Sequence, residues 1–217
     1  MAVLLQDLYP RLLPIGTICL MKTAAGILAG GQARRFNGIA KGLLRDRHDD
    51  TIVRRLERAI RQSGLEEIVL LTNDYHSYDS LGIPILPDLR PGLGPLAAIE
   101  SGLEHFASSC EAMLFVPCDL PDLTTREIRL LLDAFSKGKS EAVVAQTAAD
   151  DMKSLCVVLS VALRKNITQH LDAGRRSVMK LLLEQQTETV VFEDARPFYN
   201  INSPEDWRHW LADNAGD

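Results

Sequence analysis

Two patterns of hydrophobic residues alternate along the chain. Short apolar runs of strand length lie at 25–28, 67–72, 83–86, 112–116, 142–145, 155–159 and 189–192. Between them, apolar residues recur at helical spacing at 51–62, 96–106, 124–135, 162–171, 178–185 and 204–210. A regular exchange of strands and helices is typical of α/β domains, in which most strands of the sheet run parallel. The pattern therefore predicts one α/β domain over residues 23–212 with a mostly parallel central sheet.

Polar groups stand where several of these predicted strands end. Asn73, Asp88 and Asp119 each follow the carboxyl end of a strand, and the first strand runs into a loop that contains Gly30 and Gly31. In open α/β sheets, ligands bind outside the carboxyl ends of the strands. We therefore predict that the ligand site lies along this edge.

The loop after the first strand favours a phosphate ligand. Glycines allow backbone N–H groups to approach a ligand closely, and Arg35 and Lys41 add positive charge that suits phosphate oxygens. An ordinary strand–turn with a solvated basic loop explains the same residues. Neither the P-loop spacing nor the dinucleotide-binding glycine pattern is present.

The remaining polar candidates each have two interpretations. Asp119 can hold Mg²⁺ against phosphate oxygens, or it is a turn residue ahead of a proline. Asn73 and Asp88 can bind ribose or base edges, or they close the ends of their strands. Asn200 and Asn202 flank one residue and share a side of an extended chain, so they can line a cleft or cap the final helix.

Composition narrows the classes of function and the compartment. The 217 residues carry a net charge of −5, which argues against a general nucleic-acid surface. The four cysteines form neither a zinc pattern nor a disulfide framework, so a reducing cytoplasm is expected. Residues 1–20 are interrupted by charges and prolines, which favours neither a signal peptide nor a membrane span. We expect either that Met21 is the natural start or that residues 1–22 form a loosely attached extension.

A set of motifs in a fixed order resembles a known family. The motifs are LAGG at 28–31, arginines at 34 and 35, KGLL at 41–44, PGLGPLAAI at 91–99, PCDLP at 117–121 and NINSPED at 200–206. Together they resemble molybdenum cofactor guanylyltransferase over about residues 23–210. The resemblance implies a three-layer α/β sandwich of the nucleotide-diphospho-sugar transferase type. It also implies transfer of GMP from GTP to the phosphate of molybdopterin, which forms molybdopterin guanine dinucleotide and pyrophosphate.

The resemblance also implies roles for individual residues and for partners. The implied nucleotide-binding residues are Leu28, Ala29, Gly30, Gly31, Lys41, Asn73, Asp88 and Asp119. The implied catalytic residues are Lys41, Arg35 and Asp119, and Asp119 would also bind Mg²⁺. Asn200 and Asn202 would lie on the molybdopterin side. Delivery of molybdopterin by other proteins is also expected. In relatives that use CTP the first motif resembles LAAG, so Gly30 is our candidate for selecting GTP, through the space and backbone angles that glycine allows.

The chain also departs from the family pattern. Ala40 replaces the usual Asp before the lysine, and Met152-Lys153 replaces a His-Pro pair that precedes a strand. Two alternatives stay open. A cytidylyltransferase that acts on molybdopterin or a sugar phosphate would use the same sheet edge and metal, and the departures motivate a degenerate nucleotide-binding regulator.

Overall fold

The computed structural model describes residues 21–30, 36, 38–148 and 151–214. Strands occupy β1 (Thr23–Leu28), β2 (Ile68–Leu71), β3 (Ile85–Leu86), β4 (Ala112–Pro117), β5 (Ala142–Thr147), β6 (Asp151–Ser160) and β7 (Thr187–Phe192). Helices occupy α1 (Ile52–Gln62), α2 (Tyr75–Tyr78), α3 (Pro95–His105), α4 (Thr125–Lys137), α5 (Arg164–Asp172), α6 (Val178–Glu184) and α7 (Pro204–Asp213). The expected extension at residues 1–20 lies outside the described residues.

One seven-stranded sheet forms the centre of the described chain, in the order β3-β2-β1-β4-β6-β5-β7. Only β6 runs antiparallel to its neighbours β4 and β5, which confirms the prediction of a mostly parallel sheet. The strand β1 has β2 on one side and β4 on the other. The chain therefore winds away from β1 in both directions, and this change of direction creates a crevice at the carboxyl end of β1.

Alternation along the strands fills the two faces of the sheet. In β1, Ala25 and Ile27 contribute to one hydrophobic core and Ala24 and Leu28 to the other, as expected because successive side chains point to opposite faces. Helices α1, α4 and α7 cover the first face, and α3, α5 and α6 cover the second. The result is the three-layer sandwich that the resemblance implies. Among the described helices, none is both long and apolar enough to cross a membrane.

The strand β6 differs from its prediction. It begins at Asp151 rather than near Leu155, so Met152 and Lys153 lie inside the strand and not ahead of it. They pair with Gln146 and Ala145 of β5, after which the register shifts so that Val144 pairs with Val157. Three residues of β6 thus have no partner across β5, which is a bulge close to the sheet edge that forms the crevice.

Candidate active site

A cleft of about 1070 Å³ opens at the carboxyl edge of the sheet. Segments that follow β1, β2, β3 and β4 line it, as predicted from the polar residues at the strand ends. Of the predicted site residues, those that line the cleft are Leu28, Ala29, Gly30, Lys41, Asn73, Asp88, Asp119 and Asn200. Asn202 is not among the lining residues but contacts Lys41. Gly31 and Arg35 lie outside the described residues.

The end of β1 is fixed by its two neighbours. The N–H of Ala29 donates to the carbonyl of Leu71 at 2.9 Å, and the N–H of Cys118 donates to the carbonyl of Leu28 at 3.0 Å. The next residue, Gly30, is exposed, and a Cβ placed there would meet no described atom within 4 Å. Its φ is not positive, so the expectation that Gly30 needs backbone angles that alanine resists is wrong. Only its open space toward a ligand remains as a reason for glycine.

Four polar side chains from distant parts of the chain meet at the end of β4. The ammonium of Lys41 lies 3.1 Å from Oδ2 of Asp119 and donates to Oδ1 of Asn202 at 2.9 Å. The amide of Asn200 donates to Oδ1 of Asp119 at 2.9 Å. Both oxygens of the carboxylate are therefore oriented by the protein. The two asparagines act on one side of their segment, as their spacing predicts.

Close backbone packing holds Lys41 in place. The lysine begins a short 3-10 helix, Lys41–Leu43, whose Gly42 is buried. A Cβ on Gly42 would lie 2.6 Å from Cγ2 of Val53 and 3.2 Å from Cβ of Cys118, so only glycine fits without movement of a neighbour. Gly42 carries no chemistry of its own, and its one signal in the sequence is its position beside a candidate lysine in the KGLL motif.

Cys118 and Tyr78 are two buried side chains in the lining of the cleft. The Tyr78 hydroxyl oxygen and Cβ of Cys118 both pack against Gly42, at 3.1 and 3.2 Å from where a Cβ on that glycine would stand. Burial, together with the negative charge of Asp119, raises the pKa of the Cys118 thiol to about 12. Burial also raises the pKa of the Tyr78 hydroxyl. Cys118 is thus a protonated thiol at neutral pH, which argues against a role as nucleophile.

The opposite end of the cleft carries an amide–carboxylate pair. The side-chain amide of Asn73 donates to Oδ2 of Asp88 at 2.7 Å, and the backbone N–H of Asp88 donates to Oδ1 of Asn73 at 3.0 Å. This double contact fixes both side chains at the ends of β2 and β3. Asp88 offers carboxylate oxygens that accept hydrogen bonds, and Asn73 offers an amide that can both donate and accept. The pair can therefore bind a ligand with several donors.

The segment that carries Asn200 and Asn202 is held at the residue between them and at the start of α7. The N–H of Ile201 donates to the carbonyl of Asp119 at 2.9 Å, and the Ile201 side chain is fully buried. At the start of α7, Oδ2 of Asp206 accepts from the N–H groups of Asn202 and Ser203, each at 2.8 Å. The final helix therefore places the asparagines against the end of β4.

The described residues contain no group of three or more His, Cys, Asp and Glu side chains that could hold a metal ion by themselves. Asp119 is the carboxylate beside Lys41, and its side chain is 15% exposed toward the cleft. A site of this kind suits a metal that takes one carboxylate together with substrate phosphates and water, which is the usual mode of Mg²⁺.

Comparison with known proteins assigns the family. The model of the MobA-like NTP transferase domain matches residues 25–190. The chain belongs to this family. A MobA-like NTP transferase is a nucleotidyltransferase, which agrees with a cleft built around Lys41 and Asp119. The match ends before Asn200 and Asn202.

Relatives and solved structures extend this match to most of the chain. The molybdenum cofactor guanylyltransferase of Shewanella sp. (strain MR-4) is 31% identical over 192 residues, which are 87% of this chain and 95% of the relative. Molybdopterin-guanine dinucleotide biosynthesis protein A from Archaeoglobus fulgidus has a TM-score of 0.72 at 18% identity, over 89% of this chain and all of that one (100%). A Mycobacterium tuberculosis protein solved as a complex with manganese has a TM-score of 0.68 at 18% identity, over 88% and 98%. The two structures support the MobA-like fold.

Proposed function

We propose that the protein transfers GMP from GTP to the terminal phosphate of molybdopterin, giving molybdopterin guanine dinucleotide and pyrophosphate. The observation that carries the proposal is the cleft in which Lys41 and Asp119 meet Asn200 and Asn202. A second support is a relative that is 31% identical over 87% of this chain and is named molybdenum cofactor guanylyltransferase.

The two ends of the cleft receive different parts of the reactants in this proposal. Asn73 and Asp88 bind guanosine, since a carboxylate and an amide together can pair with the donors and acceptors of guanine and ribose. The backbone of residues 28–30 approaches the nucleotide, as the exposed Gly30 permits. Gly31 and Arg35 belong to the same loop and are proposed to contact the phosphates. Asn200 and Asn202 face the molybdopterin.

The residues present fit a divalent metal, and we propose Mg²⁺ on Asp119. The fit rests on a partly exposed carboxylate whose two oxygens are oriented by Lys41 and Asn200 but retain further lone pairs. When bound, Mg²⁺ supplies positive charge to the phosphate oxygens of the nucleotide. The manganese complex of the M. tuberculosis protein supports a divalent metal in this fold.

The transfer step needs positioning and charge more than proton transfer. An oxygen of the molybdopterin phosphate forms a bond to the α-phosphorus of GTP, and the bond from that phosphorus to the bridging oxygen breaks, so that pyrophosphate leaves with the electron pair. The attacking phosphate is already ionised and requires no strong base. Lys41 neutralises charge on the phosphates. The hydrogen bonds from Asn200 to Asp119 and from Lys41 to Asn202 hold the carboxylate and the ammonium in position. The protonated Cys118 takes no part in this step.

We further propose that the reaction takes place in the cytoplasm, with molybdopterin supplied by delivering proteins. Cytoplasmic chemistry is supported by the cysteine usage of the chain.

Turnover with matched nucleotides tests the proposal. Purified protein is incubated with molybdopterin, Mg²⁺ and either labelled GTP or labelled CTP, and the dinucleotide product and pyrophosphate are quantified. We expect product with GTP and a much lower kcat/KM with CTP. A preference for CTP would establish the cytidylyltransferase alternative and refute guanylyl transfer. Tight GTP binding without turnover would instead favour the regulator that the substitution Ala40 suggests.

A further inference from the structure

A carboxylate is buried in the helix layer behind the guanosine end of the cleft. Glu100 lies in the middle of α3, and only 3% of its surface is exposed. Charged side chains are almost never buried to this extent unless they are paired, because desolvation of the charge is costly. Glu100 has no part in the proposed chemistry, so its partners indicate what it does.

Those partners come from a loop and from a neighbouring helix. Oε2 of Glu100 lies 3.0 Å from Nε of Arg90, and Oε1 accepts a hydrogen bond of 2.8 Å from the hydroxyl of Thr168 in α5. Nη1 of Arg90 reaches Oδ1 of Asp172, also in α5, at 2.6 Å. Arg90 thus extends from the loop at residues 88–94 into the contact between α3 and α5.

A second buried polar group holds the same loop one residue earlier. The N–H of Leu89 donates to the hydroxyl of Ser101 at 2.7 Å, and this hydroxyl donates to the carbonyl of Ala97 at 3.0 Å. Ser101 is 2% exposed, whereas Leu89 is 60% exposed. The Leu89 side chain therefore contributes little burial, and polar contacts to α3 fix this part of the loop.

The loop forms one wall of the cleft. Asp88, Gly92 and Gly94 line the cleft, and the two glycines have φ of 81° and 85°. Backbone of this kind has many accessible conformations when it is not anchored. The anchored residues 89 and 90 directly follow Asp88, so they restrain its backbone and thereby keep its carboxylate within reach of Asn73.

We propose that Glu100 is a positioning residue for nucleotide binding: through its ion pair with Arg90 it holds the loop at residues 88–94, and with it Asp88, in the conformation that receives guanosine. The role of Asp88 rests on the proposed function. Glu100 itself does not touch the ligand in this proposal. Its effect is on the affinity for the nucleotide and not on the transfer step.

The test compares two glutamates of α3 that each pair with an arginine. Glu100→Gln keeps the size of the side chain and an acceptor for Thr168 but removes the charge that pairs with Arg90. Glu104→Gln is the matched control, because Glu104 pairs with Arg164 of α5 at 3.3 Å and has no contact with the loop. Hydrogen exchange of the amides at residues 88–94 is measured without ligand, and the KM values for GTP and molybdopterin and kcat are measured with it.

We expect faster exchange in residues 88–94 and a KM for GTP raised roughly 3- to 30-fold in Glu100→Gln, with kcat and the KM for molybdopterin unchanged. Glu104→Gln should behave as the wild type. Arg90→Gln breaks the same ion pair by changing the arginine, which is more exposed than Glu100. This variant provides the test if Glu100→Gln does not fold. The double variant should match Arg90→Gln, because Arg90→Gln already removes the contact with Glu100 as well as the one with Asp172.

Unchanged exchange in the loop, or a lower melting temperature with an unchanged KM for GTP, would overturn the proposal and leave Glu100 a purely structural residue. Failure of the wild type to bind any nucleoside triphosphate would overturn the proposed function and the nucleotide role of Glu100 with it. In that case the exchange measurement still decides whether Glu100 anchors the loop.

Discussion

Replacement of Asp119 by Asn separates the chemistry of the site from its stability. The substitution keeps the shape of the side chain but removes the negative charge. The remaining side-chain oxygen can still accept a hydrogen bond from either Lys41 or Asn200. The new NH₂ group then meets the other of these two donors and cannot accept its hydrogen bond. One charge-assisted hydrogen bond is lost, at a site where the two charged side chains are 28% and 15% exposed.

The cost to stability follows from these contacts. A hydrogen bond to a charged group contributes about 1.5–3 kcal/mol, and partial exposure reduces this to about 1–2 kcal/mol. A domain with about 5 kcal/mol or more of stability would then remain more than roughly 99% folded at 25 °C. The activity should fall by roughly 10²- to 10³-fold if Asp119 holds Mg²⁺ as proposed, because the lost charge also orients Lys41 and both cations act on the transition state.

The assay is guanylyl transfer at saturating Mg²⁺, combined with thermal unfolding of the same samples. Asp122→Asn is the matched control: Oδ2 of Asp122 accepts from Nε1 of Trp210 at 2.8 Å, away from Lys41, and an asparagine retains that acceptor. The control should keep its activity. If Asp119→Asn transferred GMP at nearly the wild-type rate with saturating Mg²⁺, the metal role of Asp119 would be refuted.

Three further predictions address other parts of the chain. Gly42→Ala should destabilise the protein by about 1–3 kcal/mol in chemical denaturation and also lower activity, because its Cβ would lie 2.6 Å from Val53 and displace the adjacent lysine; unchanged stability would contradict the close packing. Gly30→Ala should leave the melting temperature unchanged but lower the GTP-to-CTP ratio of kcat/KM by roughly 5- to 150-fold, and an unchanged ratio would remove Gly30 as the selector. Deletion of residues 1–20 should leave a folded, active protein in the same assays, whereas a large drop in melting temperature would mean that the segment packs on the core.

Much of the fold could be predicted from the sequence because both faces of the sheet are buried. Runs such as 112–116 stay apolar throughout, and α1 shows its core face in five buried residues. The start of β6 was missed because Met152 and Lys153 do not form an apolar run; their strand is set by pairing with β5, which acts between distant residues. The short helix α2 was missed for a similar reason, since four residues show no period.

The candidate site was predictable where a residue type has its own chemistry. Asp119, Lys41 and the two asparagines could be selected individually, although only the fold shows that they contact one another. The supporting roles of residues such as Gly42 and Glu100 could not be recognised, because a glycine beside a lysine and a glutamate in a helix are common. Their importance comes from the space and the charges around them, which local sequence does not encode.

The meeting of Lys41 with Asn202 joins positions that are 161 residues apart. During synthesis, the first part of this contact leaves the ribosome long before the second part is made. The lysine and the carboxylate can come together earlier, but Asn200 is synthesised 81 residues after Asp119, and the helix that orients the asparagines follows it. A nascent or prematurely terminated chain should therefore build most of its sheet while its cleft is still incomplete. The cleft would then gain its two asparagines only after most of the sheet has formed.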